Sequence, residues 1–340
     1  MKNRMSQLLR PKYVFEVLAL ALLILLPRIM PNLYINHVLC LIGIYTLLTI
    51  GFNILTGYTG MVSLGQAGFF AFGAYISAIC NATLKINPWF SMLIGIAATI
   101  LVGFIVALPA LRVKDKYLVL LTIGFAEIVR LVANNWLEVT GGPTGIRGIK
   151  APSIFGIVLR DAGSFYYLVL ACVLLGFLLQ YFVINSRCGR AFIAVRDDEK
   201  AAQLSGINIT NYKIKSFMLS AFYCGLAGAL YAHLVHYVSP DTFTYNESVS
   251  ILCMGMIGGS GTLAGPAIGA CLLTILPELL RSFAGVRMIV YGAVLIVMII
   301  ACPGGISGLL RKAKAVAARS SAKRKERTIH SGTGGQSNDS

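Results

Sequence analysis

The stretch Phe165–Ile184, FYYLVLACVLLGFLLQYFVI, decides the fold, and the segment after it, NSRCGRAFIAVRDDEKAAQLSGIN over 185–208, orients it. Twenty consecutive residues without a charge are the length an α-helix needs to cross roughly 30 Å of hydrocarbon. The chain then turns abruptly into a run rich in Arg, Lys, Asp and Glu. A long apolar run with a basic foot reads as a membrane span whose foot lies in the cytoplasm.

The same pattern recurs on both sides. Of 340 residues, 57% are hydrophobic and 12% charged, with a mean hydropathy of +0.77. A soluble domain carries about 45–50% apolar and about 25% charged residues, so a single water-facing fold is excluded. Further runs able to span are Val14–Met30, Val38–Leu55, Met61–Cys80, Phe90–Leu111, Tyr117–Ala133, Phe217–Val235 and Val286–Cys302. The fold class expected is all-α: a polytopic helical membrane protein with about eight spanning helices plus re-entrant or broken ones. Residues 1–13 form an N-terminal segment, 14–310 the transmembrane domain with a long loop at 185–215, and 311–340 a basic tail too poor in apolar residues to order itself.

The net charge of +16 invites a nucleic-acid partner, but the placement of the charge argues against one. Of the 29 basic residues, four precede Val14, three lie in 112–116, six in 187–215 and eight in 311–327. This is the positive-inside bias of a membrane protein, in contact with the lipid bilayer and not with nucleic acid. Placing every basic stretch inside fixes the parity. Both termini are cytoplasmic, 134–164 lies outside, and the first apolar run is an uncleaved span, since no small-residue cleavage site follows it. The stretch Val249–Leu280, broken by Gly258, Gly259, Gly261, Gly265 and Pro266, must then dip in and come back out.

A second break resembles that one. Thr56-Gly57-Tyr58-Thr59-Gly60 interrupts an apolar run, and Ser63, Gly65, Gln66 and Gly68 follow. Non-helical backbone at membrane depth survives only where protein or a water-filled cavity satisfies it. Paired interruptions therefore point to a translocation path, with Gly57, Gly60, Ser63, Gln66, Gly258, Gly259 and Gly261 as candidate path residues. The same glycines also suit close helix packing.

The loop at 187–208 carries the mechanism. Asp197 or Asp198 can cap a short helix with Glu199 in its positive first turn. Ala201 and Ala202 favour helix, and Gly206 suits a left-handed stop. Ahead of it, Phe192 and Val195 share a face. The product is a small-faced amphipathic helix below the membrane, shaped either to enter a groove on another protein or to lie on the headgroups.

The run Glu199-Lys-Ala-Ala through Gly206 resembles the "EAA…G" coupling loop of ATP-binding-cassette import permeases, although Lys200 separates Glu199 from the alanines. Gly189-Arg190-Ala191, Arg196 and Tyr212-Lys213 extend the likeness to the branched-chain amino-acid permeases, in particular their longer membrane subunit. GFNILTGYTGMVSLGQAGFFAFGAY (51–75), Thr140–Gly145, Ser239-Pro-Asp241 and Gly258–Pro266 occur in the same order. The resemblance covers roughly Val38 to Gly305. It implies a bacterial inner-membrane importer subunit moving leucine, isoleucine or valine. It also implies two separate ATPase subunits docked at Arg190, Arg196, Asp197, Glu199, Ala201, Ala202 and Gly206, a second related permease as heterodimer partner, and a periplasmic substrate-binding protein. ATP would then bind the partner ATPases; no cofactor is expected on this chain, and no Walker motif occurs in it.

Glu127, near Arg130, is a carboxylate inside an apolar span, and such a group lines a path or pairs with a neighbour. An ion-coupled secondary transporter would need it, which makes that class the rival; urea, short amides or a sugar are rival cargoes. His233 and His236 share a helix face near the outer end, but no third ligand of suitable spacing makes a metal site, and polar tips at the interface are expected instead. No nucleophile–base pair or paired catalytic carboxylates support an enzyme.

Overall fold

The computed structural model describes residues 32–113, 115–154 and 157–279, with positions 27, 292, 293, 305 and 306 in isolation. Apart from those isolated positions, the expected N-terminal segment 1–13, first span Val14–Met30, last span Val286–Cys302 and basic tail 311–340 fall outside the described residues.

Helix α1 (Leu33–Phe52) opens on Asn32, whose side chain accepts from the Tyr34 amide, and continues as a π-helical segment, Asn53–Tyr58. After a loop, α2 (Gln66–Ala78) runs into a second π segment, Ile79–Thr83. Helix α3 (Pro88–Ala110) is capped by Asn87 and has proline at its first position, where the missing N–H costs nothing. Then come α4 (Asp115–Asn135), the short α5 (Leu137–Thr140), α6 (Ala162–Asn185), α7 (Arg187–Asp197), α8 (Glu199–Leu204) and α9 (Ile209–Val235). The last described pair is α10 (Tyr245–Gly258) and α11 (Gly265–Leu279). Two-residue strands β1 (Ile146–Arg147) and β4 (Tyr237–Val238) pair antiparallel, as do β2 (Ser153–Ile154) and β3 (Ile157–Val158).

Five described helices are long and apolar enough to cross a membrane: Leu33–Tyr58, Pro88–Ala110, Tyr117–Asn135, Ala162–Asn185 and Ile209–Val235. The run Met61–Cys80, expected as a span, starts its helix only at Gln66, because Met61–Gly65 is held as a loop by side chains. Thr56 Oγ1 donates to the Met61 carbonyl at 2.9 Å, and the amides of Leu64 and Ala67 donate to Thr122 Oγ1 and Ser248 Oγ, both at 3.1 Å. Helix α9 starts eight residues before the expected Phe217, so that Lys213 and Lys215 stand on a helix, not in a loop.

Helix α9 is the centre of the bundle and packs most extensively on α3 and α2. Phe217, Tyr223, Cys224 and Ala227 are fully buried in that core. Close approach is enforced by small residues: a Cβ on Gly73 would sit 2.6 Å from the Gly225 Cα, so the two backbones touch. Hydroxyls inside the bundle bond to their own helices, Thr46 to the Ile42 carbonyl and Thr99 to the Gly95 carbonyl, both at 2.7 Å. The outward faces are apolar, with Leu93, Leu101, Ile128, Leu175 and Phe182 all exposed, as a hydrocarbon surround requires.

Counting α2, which runs back from the basic end between α1 and α3, successive long helices of the bundle alternate in direction. At one end, Cys40 Sγ reaches the Ala162 carbonyl, Asn81 Oδ1 accepts from the Lys150 amide at 2.7 Å and Trp89 Nε1 donates to the Ser153 carbonyl at 2.8 Å. At the other, Leu111 lines the same cleft as Glu199 and Gly206. We refer to these as the cap end and the basic end. The glycine-broken stretch turns back on itself, because α10 and α11 form an antiparallel hairpin in which Gly258 meets Gly265 and Gly269 meets the Met254 carbonyl.

Candidate functional site

The loop expected to hold one short helix holds two, separated by a single residue. Ser186 caps α7 by accepting from the Cys188 amide at 3.1 Å. Asp198, extended at φ −159°, caps α8: its Oδ1 accepts from the Lys200 and Ala201 amides at 2.8 and 3.1 Å. Glu199 occupies the first turn, where a negative charge suits the helix dipole. Gly206, at φ +81°, takes the left-handed stop. Phe192 and Val195 are buried together, and Phe192 meets the Tyr212 ring edge-on at 6.1 Å, which seats α7 against the foot of α9. Glu199 makes an ion pair with Lys213 on α9 and so tethers α8 to the same foot.

On α8, Ala202 faces inward while Ala201 and Gln203 face solvent, and Leu204 is 90% exposed. Beside it, a polar cleft of about 510 Å³ is lined by Leu111, Glu199, Gln203, Gly206, Asn208 and Lys213. Leu204 was not singled out by sequence; it is the last helical residue before Ser205-Gly206, and the i+2 offset from inward Ala202 was the available signal. Arg190 lies at the start of α7 and bonds the Asn185 carbonyl at 3.3 Å.

Arg196, on the last turn of α7, reaches the first break. Its Nη1 donates to the Gly57 carbonyl at 2.9 Å, while Nε and Nη2 bond Asp197 Oδ1 at 3.1 and 3.0 Å. The Gly57 carbonyl is at the end of the π segment, among the groups a helix terminus leaves without an internal partner. Asn53, 1% exposed, sits one turn earlier. Its Oδ1 accepts from the Gly261 amide at 2.7 Å and its Nδ2 donates to the Thr262 carbonyl at 2.8 Å. The two breaks named from sequence thus touch each other through Asn53 and touch the loop through Arg196. This junction lies at the basic end of the 26-residue segment Leu33–Tyr58.

The other candidates are placed apart from it. Ser63 is fully buried and accepts from the Gly65 amide at 3.2 Å. Gln66, also fully buried, accepts at Oε1 from Ser220 and Cys224 at 3.3 and 2.8 Å. Gly258 and Gly259 shape the hairpin turn. Glu127 pairs with Arg130, whose Nε lies 3.1 Å from both carboxylate oxygens, on a half-exposed face of α4 away from the breaks. His233 corrects the interfacial expectation. It is fully buried, with Nδ1 donating to the Lys150 carbonyl at 2.7 Å and Nε2 placed 3.1 Å from Ser77 Oγ. His236 Nδ1 bonds the adjacent Ile149 carbonyl at 2.9 Å. Among the described residues no cluster of three metal-ligating side chains occurs.

Sequence reasoning also passed over Glu247. It sits in the first turn of α10, bonded by Tyr45 on α1, and its Oε1 is buried with no partner. A buried carboxylate in an apolar bundle is costly; its position just ahead of the expected Val249–Leu280 stretch had hidden it.

Comparison with known proteins places this geometry. Residues 34–301 match the family described as "Branched-chain amino acid transport system / permease component". The chain is 34% identical to the high-affinity branched-chain amino acid transport system permease protein LivM of Salmonella typhimurium, over 79% of this chain and 68% of that protein. It is 24% identical to the permease protein LivH of Escherichia coli, over 78% and 91% respectively. It is also 31% identical to the fructose import permease protein FrcC of Rhizobium meliloti, over 55% and 54%. No solved structure matches. A bundle of apolar-faced helices, a capped helix pair projecting at its basic end and a family match across most of the chain lead to one conclusion: this chain is a multi-pass membrane protein of the branched-chain amino-acid permease family of ABC transporters.

Proposed function

We propose that this chain is one of two related membrane subunits of an ATP-driven importer for leucine, isoleucine and valine. It lies in the bacterial inner membrane with both termini cytoplasmic. A periplasmic binding protein delivers cargo to the cap end, and two ATPase subunits dock at the basic end. The observation that carries this reading is the α7–α8 pair: capped at both starts, stopped by Gly206, tethered through Glu199 to Lys213, and presenting Leu204 outward. An apolar side chain beside a polar cleft is the kind of anchor that seats in a partner's groove. The partner permease is supported by the likeness to both LivM and LivH, two permeases of the branched-chain amino acid system.

Transport on this chain is conformational. Closure of the ATPase dimer on ATP moves α7 and α8, and the bundle, with two packings available, shifts between outward and inward openings. No bond is made or broken here, and ATP is bound by the partner subunits.

The test is a gentle detergent pull-down of the full chain from its native membrane, with co-purifying proteins identified by mass spectrometry. Recovery of an ATPase pair and a second permease supports the reading. A chain that purifies intact but alone, and takes up solute on an ion gradient, refutes it. The likeness to a fructose import permease favours one second reading, a sugar as cargo. Competition of labelled leucine uptake by unlabelled valine or by fructose separates the two.

A further inference from the structure

We propose that Arg196 is the positioning residue that transmits motion of the docked ATPase to both glycine breaks at once, through the contact chain Arg196–Gly57–Gly261–Asn53. This rests on the importer reading above and adds to it the route by which the loop reaches the bundle.

Three features make the chain of contacts rigid. First, Arg196 is held at both ends of its side chain. Its stem lies on Gly60, where a Cβ would come within 2.9 Å of Arg196 Cγ, and its guanidinium is oriented by Asp197 while Nη1 bonds the Gly57 carbonyl. A planar fork so fixed moves with its helix. Second, Gly57 and Gly261 meet backbone to backbone. A Cβ on Gly57 would collide with Asn53 Oδ1 and the Gly261 amide, and one on Gly261 would lie 3.1 Å from Arg196 Nη1 and from the Gly57 carbonyl. With no side chain between them, neither can move without moving the other, since close-packed contacts transmit displacement. Third, Asn53 locks the hairpin turn on two sides, to Gly261 and to Thr262, from a buried position at the start of the π segment.

The π segment supplies the compliant element. Six residues, Asn53–Tyr58, are wound with the looser hydrogen-bond pattern often found at functional sites in helices. Arg196 holds its penultimate carbonyl, that of Gly57, so a pull on α7 is applied where the helix continuing α1 is most easily rewound. The neighbouring hairpin turn, with Gly259 at φ 110° and Gly261 at φ 73°, is the second place able to change shape. Arg196 is 38% exposed, near enough to the surface to respond to a partner seated on α8.

The test uses the complete reconstituted complex, with binding protein and ATPases, carrying Arg196→Ala, Arg196→Lys or Asn53→Ala. ATP hydrolysis and cargo uptake are measured on the same vesicles. Arg196→Ala is expected to lower uptake per ATP hydrolysed at least tenfold, with the half-saturating cargo concentration unchanged. Arg196→Lys, which can still donate to the Gly57 carbonyl, restores at least a third of uptake. Asn53→Ala reproduces the uncoupling, and combining it with Arg196→Ala adds nothing further. Unchanged uptake in Arg196→Ala overturns the proposal. So does a parallel fall in hydrolysis and uptake without rescue by lysine, which would make Arg196 a docking or folding residue. Failure of the importer reading looks different: the unaltered complex would then show no ATP-dependent uptake at all.

Discussion

The two ends of the bundle are built on opposite plans. At the cap end, contacts are redundant. His233 and His236 hold consecutive carbonyls of the 146–150 segment, Asn81 holds the Lys150 amide, and β1 pairs with β4. The 146–150 segment is thus held from α9, from the π segment after α2 and from β4, so removing one bond leaves the others to keep the geometry. At the basic end, apart from the Phe192 seat of α7 on α9, single side chains carry the connections: Arg196 to Gly57, Asn53 to the hairpin turn, Glu199 to Lys213. Redundancy makes a lid over the helix ends; single contacts between glycines make a joint. The difference predicts that substitutions at the cap change stability, and substitutions at the joint change coupling.

The largest effect is expected from Gly57→Val. The added side chain meets the Gly261 backbone and the Asn53 side chain, which is held by its bonds to Gly261 and Thr262. Overpacking of this kind costs about 1–3 kcal/mol. Uptake should be lost while the complex still assembles on size-exclusion chromatography. Normal uptake would show that the two breaks separate freely and would break the comparison.

Next is His233→Phe at the cap. It takes the donor from the Lys150 carbonyl and leaves the fully buried Ser77 hydroxyl without its imidazole partner, a loss of about 1–3 kcal/mol for the stranded hydroxyl. A lower thermal midpoint in detergent is expected, with uptake per ATP unchanged. A changed ratio of uptake to hydrolysis would move coupling into the cap as well. Leu204→Asp should then weaken retention of the ATPases in a pull-down about tenfold, as loss of one apolar anchor of roughly 1–2 kcal/mol implies, without altering the thermal midpoint of the isolated chain.

The smallest effect is expected from Glu199→Gln. The pair with Lys213 is half exposed on the Glu199 side, and such pairs contribute about 0.2–1 kcal/mol, less at high salt. Uptake should fall modestly at low ionic strength and match the unaltered protein at high salt. A large, salt-independent loss would mean that Glu199 contacts the ATPase directly.

How much of this was legible in the sequence follows from what each signal depends on. Spans were readable because a run such as Phe165–Ile184 needs only length and hydropathy. The capped loop was readable because Asp198, Glu199 and Gly206 act within one turn of themselves. The start of α2 was not, since Met61–Gly65 is kept out of helix by Thr122 and Ser248, distant in sequence. The breaks were visible as glycines, but not that they touch. That contact is made by Asn53, an asparagine inside an apolar run, which becomes informative only when Gly261 is brought to it. His233 misled for the same reason: two histidines one turn apart suggest an interfacial pair, and only the fold brings Lys150, Ser77 and Ser91 around one of them. Glu127, conspicuous by type, is satisfied locally by Arg130, whereas Glu247, inconspicuous in sequence, is the one buried with an unpartnered oxygen.

The most direct test of the joint is the distance between spin labels at Ser260, on the exposed hairpin turn, and Arg160, at the cap. It is measured in the reconstituted complex with and without ATP, in a chain whose native cysteines have been replaced. The account predicts an ATP-dependent shift of about 1–5 Å, the scale of helix displacements in switching bundles, and its disappearance in Arg196→Ala while hydrolysis continues. A distance that ignores ATP in the unaltered protein, or a shift that persists without Arg196, would contradict it.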